Sequence, residues 1–176
     1  WGIVSPRGHA LPGRVAQGDI SVIGPLARGA EDLDTAFMAM AGPDDVDGSG
    51  WQLKLPKPAK KKLRDFKIAV MLDDPNSAVD QEVQSLLSRL AEFLGKSKAK
   101  VSMTARPELD TSELHRVYVA LLRSATSGRQ SDADYARNQE TARSLAPNDH
   151  SYFADMTRAN VLGHRDWLAL NERRHH

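Results

Sequence analysis

Few side chains in this sequence are of a type and spacing that could do chemistry. They are six histidines (His9, His115, His150, His164, His175, His176), the pair Asp73-Asp74, the turn Gly48-Ser49-Gly50, the pair Arg28 and Asp32, and a run of lysines. A metal site on a helix needs a second histidine or a carboxylate three or four residues on, and no H-E-x-x-H occurs. His164-Arg165-Asp166 is not at ligand spacing, so the histidines read as surface or core residues and no metal is expected. Asp73-Asp74 ends an expected strand, at the edge where α/β proteins gather their sites, and two carboxylates there could hold magnesium or act as acid and base. The following Pro75-Asn76 favours a plain turn with a helix cap. Gly48-Ser49-Gly50 is too short and too far from a helix to cradle a phosphate, and it lacks the surroundings of a nucleophile elbow. Arg28 and Asp32 stand one helical turn apart, the spacing of an ion pair at a helix start.

The lysine run comprises Lys54, Lys57, Lys60, Lys61, Lys62 and Arg64, broken by Pro56 and Pro58. It reads either as an anion-binding surface or as a solvated connector held extended by its prolines. The connector reading is preferred because no aromatics are interleaved and because Lys plus Arg total 24 against 23 Asp plus Glu, a formal charge of +1. So even a balance speaks against nucleic acid as a partner. There is no cysteine, which removes disulfide scaffolds, Cys-ligated zinc, iron–sulfur clusters and thiol nucleophiles. A reducing compartment is compatible with this, and a cytoplasmic location is the expectation. No stretch approaches the roughly 20 apolar residues of a membrane span and no signal peptide opens the chain, so no membrane partner is expected.

The elements that would position these residues follow from apolar periodicity in 176 residues of which 40% are apolar. Residues 1–19 are a Gly- and Pro-rich loop, and Ile20–Ile23 is a short strand end. Leu33, Ala36, Phe37, Met40 and Ala41 form one helical face stopped by Gly42-Pro43. Residues 42–62 are polar and lysine-rich. Phe66–Leu72 reads as the clearest strand. Val79, Val83, Leu86, Leu87, Leu90, Phe93 and Leu94 make the strongest amphipathic helix, ended by Gly95, and Lys100–Met103 is a second strand. Strand, helix and strand predict a βαβ unit with a parallel pair. Leu114, Val117, Tyr118, Leu121, Leu122 and Ala125 mark another helix, with Asp110, Thr111 and Ser112 as candidate caps and Gly128 as its stop. A weak helix over 132–143 and a turn at Pro147-Asn148-Asp149 follow. One long helix then runs from Ser151, with Phe153, Met156, Asn160, Gly163, Trp167 and Leu170 on one face. The fold class is α/β, with short parallel or mixed strands and a mainly helical C-terminal layer. Residue chemistry alone shows no self-contained catalytic constellation.

Gly24-Pro25-Leu26-Ala27-Arg28, followed by Glu31-Asp32-Leu33 and Met40-Ala41-Gly42-Pro43-Asp44, resembles the amidase signature family, in which G-P-[ML]-A-R leads into a helix that carries an aspartate and ends in A-G-P-D. Trp1-Gly2-Ile3-Val4-Ser5, Pro6-Arg7-Gly8-His9 and Leu11-Pro12-Gly13 resemble the stretch that follows the family's lysine-proline-threonine turn. Leu63–Val70, Asp73-Asp74-Pro75, Val79-Asp80 and Gly163–Leu168 with Asn171–Arg174 are similar to later family segments, so the resemblance spans nearly the whole chain.

The resemblance implies hydrolysis of a carboxylic amide by a Ser–cis-Ser–Lys triad, in which a neutral lysine draws the proton through the middle serine. A glycine-rich loop supplies the oxyanion donors. It implies no metal or organic cofactor. The family places the triad and its G-G-S-x-R loop before the position of Trp1, and no G-G-S-x-R occurs here, so no catalytic residue is assigned. Trp1 in place of Met and helical pattern up to His176 make both ends read as cut.

The expectation is an inactive later part of an amidase. Residues 1–45 would be the tail of the signature core, 46–62 a linker, and 63–176 the C-terminal portion. Tyr118, Phe153 and Trp167 are candidate pocket walls, with core packing as the plainer reading, and Gly24, Pro25, Arg28 and Asp32 are assigned to structure. The substrate would be a small amide. Uncovered apolar faces predict partial disorder near 1–20 or homo-oligomers. The alternatives are a non-catalytic binding module using the basic segment 54–67, and a dead homologue acting as a scaffold.

Overall fold

The computed structural model describes residues 2–9, 16 and 18–176. The chain divides into two compact units, Trp1–Pro56 and Lys57–His176, at a point inside the expected 46–62 connector.

In the first unit the α1 helix spans Ala30–Met40, with Glu31 and Asp32 in its first turn, where negative charge suits the helix dipole. Ala36 and Phe37 are half-buried while Leu33 and Met40 remain exposed. The chain turns out of α1 at Gly42, whose φ of +127° lies in the region that only glycine adopts without strain. That turn lets the Gly42 N–H donate to the Ile3 carbonyl at 2.8 Å, and Val4 forms isolated bridges with Ala41 and Gly42. The strand expected at Ile20–Ile23 is not formed; this stretch is irregular, and the extended pairing is made by Val4 instead. A 3-10 turn at Asp47–Ser49 folds part of the expected linker. The disorder expected near 1–20 falls in part on Trp1, 10–15 and 17, which lie outside the described residues.

The second unit starts with β1 (Lys67–Ala69), α2 (Gln81–Lys96) and β2 (Lys100–Ser102). The strands pair in parallel with Lys67 opposite Lys100, Ile68 opposite Val101 and Ala69 opposite Ser102, which is the expected βαβ unit. Both strands are shorter than predicted, because the ladder ends where the Val70 N–H donates to the Ser102 carbonyl at 2.9 Å. Four helices follow: α3 (Thr111–Ser127), α4 (Asp132–Ser144), α5 (Tyr152–Ala159) and α6 (His164–Arg173). Among the described residues the fold is therefore mostly helical, with six helices and two strands, and the sheet is a smaller part than an α/β description suggests. No helix among them is long and apolar enough to cross a membrane.

Side-chain caps set most helix starts. Asp80 accepts from the Glu82 N–H at 2.8 Å and Asp110 from the N–H groups of Ser112 and Glu113. Ser131 and Ser151 cap α4 and α5 through Asp134 and Ala154. Such caps satisfy N–H groups that have no partner within the helix. The single long helix expected from Ser151 is instead two, α5 and α6. Asn160 closes the first, and Gly163, with extended backbone (φ −71°, ψ 150°), opens the second. Glycine is a poor helix interior residue and Asn160 prefers an end, so this sequence breaks there.

The core lies where α3 meets α5, with α6 also against α3 and α4 against α5. Val117, Val119 and Leu121 are buried on α3, and Ala154 (0% exposed), Thr157 and Ala159 on α5. Small residues let the two backbones approach closely, and the buried Thr157 hydroxyl is satisfied by the Phe153 carbonyl at 2.7 Å. In contrast, α2 buries only Ala91 and leaves its apolar stripe outside: Leu86, Leu90 and Phe93 are 56%, 50% and 57% exposed.

The α2 helix does not stop at Gly95 as expected but continues to Lys96, and it ends in a Schellman motif. The Ala99 N–H reaches the Leu94 carbonyl at 3.0 Å, the Lys98 N–H reaches the Gly95 carbonyl at 2.9 Å, and Lys98 takes the left-handed position with φ of 67°. A side chain there costs about 1 kcal/mol. Lys98→Gly should therefore stabilise the second unit by up to about 1 kcal/mol in chemical denaturation, less the glycine's extra unfolded-state entropy. A clear loss of stability would refute this account of the turn.

Candidate functional site

Two places collect polar side chains from distant parts of the sequence, one in each unit.

In the first unit Asp44 is a hub. Its Oδ2 accepts from Ser5 Oγ at 2.7 Å and Arg7 Nε at 2.5 Å, and its Oδ1 accepts the backbone N–H groups of Val46 and Asp47 at 3.0 and 3.1 Å. Arg7 Nη2 also reaches Asp47 Oδ2 at 3.5 Å. These bonds, first Ser5 and then Arg7, hold the Asp44 carboxyl well below the usual carboxylate range. The hub joins the Ser5-Pro6-Arg7 stretch to the Ala41-Gly42-Pro43-Asp44 segment, with the Gly42–Ile3 backbone bond beside it. Two blocks of the family resemblance, more than thirty residues apart, thus meet in space. Arg28 and Asp32 do not form the expected ion pair: both are exposed, and neither has an ionic partner among the described residues. Glycine at 29 and the extended backbone there leave the two side chains to solvent. Gly24 lies in the exposed loop before α1, and Pro25 borders a shallow recess with Leu33 and Phe37. A second recess of this unit, 290 Å³, is lined mainly by apolar residues, among them Ile3, Val4, Val22, Ile23 and Phe37, which suits packing better than catalysis.

In the second unit a cleft of 280 Å³ opens between the starts of α3 and α5, lined by Asn76, Ser112, His115, Arg116, Val119, His150, Tyr152 and Asp155. Asn76 Nδ2 donates to Thr111 Oγ1 and Ser112 Oγ, both at 3.1 Å, tying the turn after β1 to the head of α3. Arg123 Nη2 donates to Tyr152 Oη at 2.9 Å. Glu113 accepts from Arg116 at 3.1 Å and from Arg173 at 3.2 Å, and these bonds, Arg116 foremost, hold its carboxyl below the ordinary value. Arg158 closes the α5 side, donating to the Asp149 and Ala146 carbonyls at 2.5 and 2.6 Å. Asp149 is lowered in turn by the Ser151 N–H.

The sequence alone reads His115 and His150 as surface or core residues and gives Tyr152 no role, because nothing in their spacing brings residue 115 near 150; only the α3–α5 packing does so. The three pocket-wall candidates lie elsewhere. Tyr118 is 57% exposed on α3, Phe153 is 55% exposed on α5, and Trp167 is half-buried on α6, stacked on His164 with centroids 5.9 Å apart. Asp73 pairs with Arg106 at 2.6 Å, and Asp74 Oδ1 accepts the Asn76 N–H at 2.8 Å, which is the plain turn expected; the helix cap is Asp80. In the basic segment Lys60 Nζ sits 5.3 Å from the Phe66 ring centroid and the Lys62 N–H donates to Asp65. No group of three metal-ligating side chains occurs among the described residues.

The family model for amidases matches residues 1–171, almost the whole chain. The chain therefore belongs to the amidase family, and amidase-type hydrolysis is the chemistry of that family. No curated protein and no solved structure matches it.

Because Asp44 is held below its ordinary value, its ionised form favours the folded hub. That contribution is complete at neutral pH and lost as acid protonates the carboxylate. Asp44→Asn should remove it at all pH values. The check is amide exchange at Gly42, Val46 and Asp47 at neutral pH, which should quicken in the variant. Unchanged exchange would show that the hub does not hold the two segments together.

Proposed function

We propose that this chain supplies the structural wall of an amidase whose reacting groups, the two serines and the lysine, come from polypeptide outside these 176 residues, and that it is inactive by itself. In this reading 1–45 completes the signature core, 46–62 is the linker, and 63–176 forms a helical layer. The substrate class is a small carboxylic amide, cleaved to acid plus ammonia or amine. Tyr118, Phe153 and Trp167 are the side chains available to line its acyl pocket.

The observation that carries this reading is the state of α2. The most amphipathic helix of the chain turns Val83, Leu86, Leu87, Leu90 and Phe93 toward solvent. Beside it stands a parallel pair of strands whose outward residues Lys67, Ala69 and Lys100 are exposed. Parallel sheets are stable when both faces are covered, so these surfaces suit the interior of a larger fold. The family match over residues 1–171 and the absence of any G-G-S-x-R segment support the same reading.

Ammonia release from a panel of simple carboxamides tests it. The 176-residue chain should show no turnover above background, and the same gene read further upstream, through a serine–lysine region, should hydrolyse at least one of them. Enzymatic turnover by the 176 residues alone would overturn the proposal. Free in solution, the chain should also self-associate, and replacing Leu86, Leu90 and Phe93 by Gln should shift it toward monomer in sedimentation. A monomer at high concentration without those changes would speak against α2 as an interior face.

A further inference from the structure

The cleft between α3 and α5 holds hydrogen-bond donors that the amidase reading leaves unused. Its acceptors are already engaged. Asp155 Oδ1 lies 3.7 Å from both His150 Nδ1 and Arg158 Nη1, and Glu113 is shared by Arg116 and Arg173. Its donors are not. Tyr152 Oη accepts from Arg123 at 2.9 Å, which leaves the hydroxyl's own proton free to be given to something else. His115 makes a tilted ring contact with Tyr152, centroids 6.3 Å apart, and forms no hydrogen bond among the described residues. Arg123 Nε, behind Tyr152, is buried without a partner, so the tyrosine is held by a guanidinium that has little else to bind.

Free donors of this kind, one on α3 and one on α5, fit an oxyanion. The volume of 280 Å³ lies just below the roughly 300–1,000 Å³ usual for ligand sites, which restricts the ligand to a small one. Val119 gives the cleft one aliphatic wall, which suits a carbon-bearing anion better than an inorganic one.

We propose that this cleft is a site for a small organic carboxylate, whose oxygens take the Tyr152 hydroxyl proton and a ring N–H of His115 while its carbon end rests on Val119. Arg116, paired with Glu113, and the exposed His150 stand at the rim. The site is separate from the hydrolytic chemistry and does not require the chain to be an active amidase.

The test follows the imidazole signals of His115 and His150 by NMR in the intact 176-residue chain, titrated with propionate, inorganic phosphate and chloride at matched ionic strength. Propionate should give saturable shifts at both rings, with neither chloride nor phosphate matching it. Tyr152→Phe and His115→Gln should each weaken propionate binding about tenfold, as expected for loss of one hydrogen bond to a charged acceptor. Thermal unfolding of each variant separates this from loss of fold, and His150→Gln, at the rim, should weaken binding less than either. Shifts that never saturate, equal shifts with chloride, tighter binding of phosphate, or folded variants that bind propionate like the parent would each overturn the proposal.

Discussion

The uncovered apolar face of α2 is the constraint on which the rest of this molecule depends. Five large side chains on one stripe would each contribute about 1.5–3 kcal/mol on full burial. Being half-exposed, they leave several kcal/mol unrealised, a large fraction of the stability of an ordinary domain. Their helix is nevertheless well made, with an Asp80 cap at one end and a Schellman turn at the other. A helix so carefully terminated, with its apolar side outward, is shaped for contact with something besides its own two strands.

The α3–α5 core behaves differently. Its contacts involve small residues, Ala154, Thr157 and Ala159 against Val117, Val119 and Leu121, and they are closed among themselves. Polar bonds lock its edges: Arg158 onto the 146–149 turn, and Gln130 Nε2 onto the Asn160 carbonyl at 3.2 Å with Asn138 behind it. The centre of this part is closed, while Tyr118 and Phe153 stay more than half exposed on its flanks. The Asp44 hub ties the first unit by charge and hydrogen bonding, where apolar burial is slight. A small closed core and a long uncovered apolar stripe on α2 therefore coexist in a single chain.

What the sequence revealed depended on how local each signal was. The α2 stripe, the βαβ order and the cap at Asp110 are readable because their determinants lie within a few residues of each other. The family resemblance was readable for the same reason, being carried by contiguous blocks such as Gly24–Arg28 and Ala41–Asp44. The break at Asn160–Gly163 was missed because apolar spacing continues across it, and backbone preference decided against periodicity. The end of α2 was misplaced because the left-handed position fell on Lys98, where glycine is the usual marker. The Ser5–Arg7–Asp44 hub and the His115–Tyr152 cleft could not be read at all. Their members lie some 35 to 40 residues apart and meet only through tertiary packing.

If α2 is an interior surface of an amidase, covering it must change how it breathes. The most direct measurement is amide hydrogen exchange across Gln81–Lys96, comparing the 176-residue chain with a longer product of the same gene that contains the serine–lysine region. Protection of α2 should rise by orders of magnitude in the longer protein while that of α3 and α5 changes little. Equal exchange in both proteins would contradict the central claim.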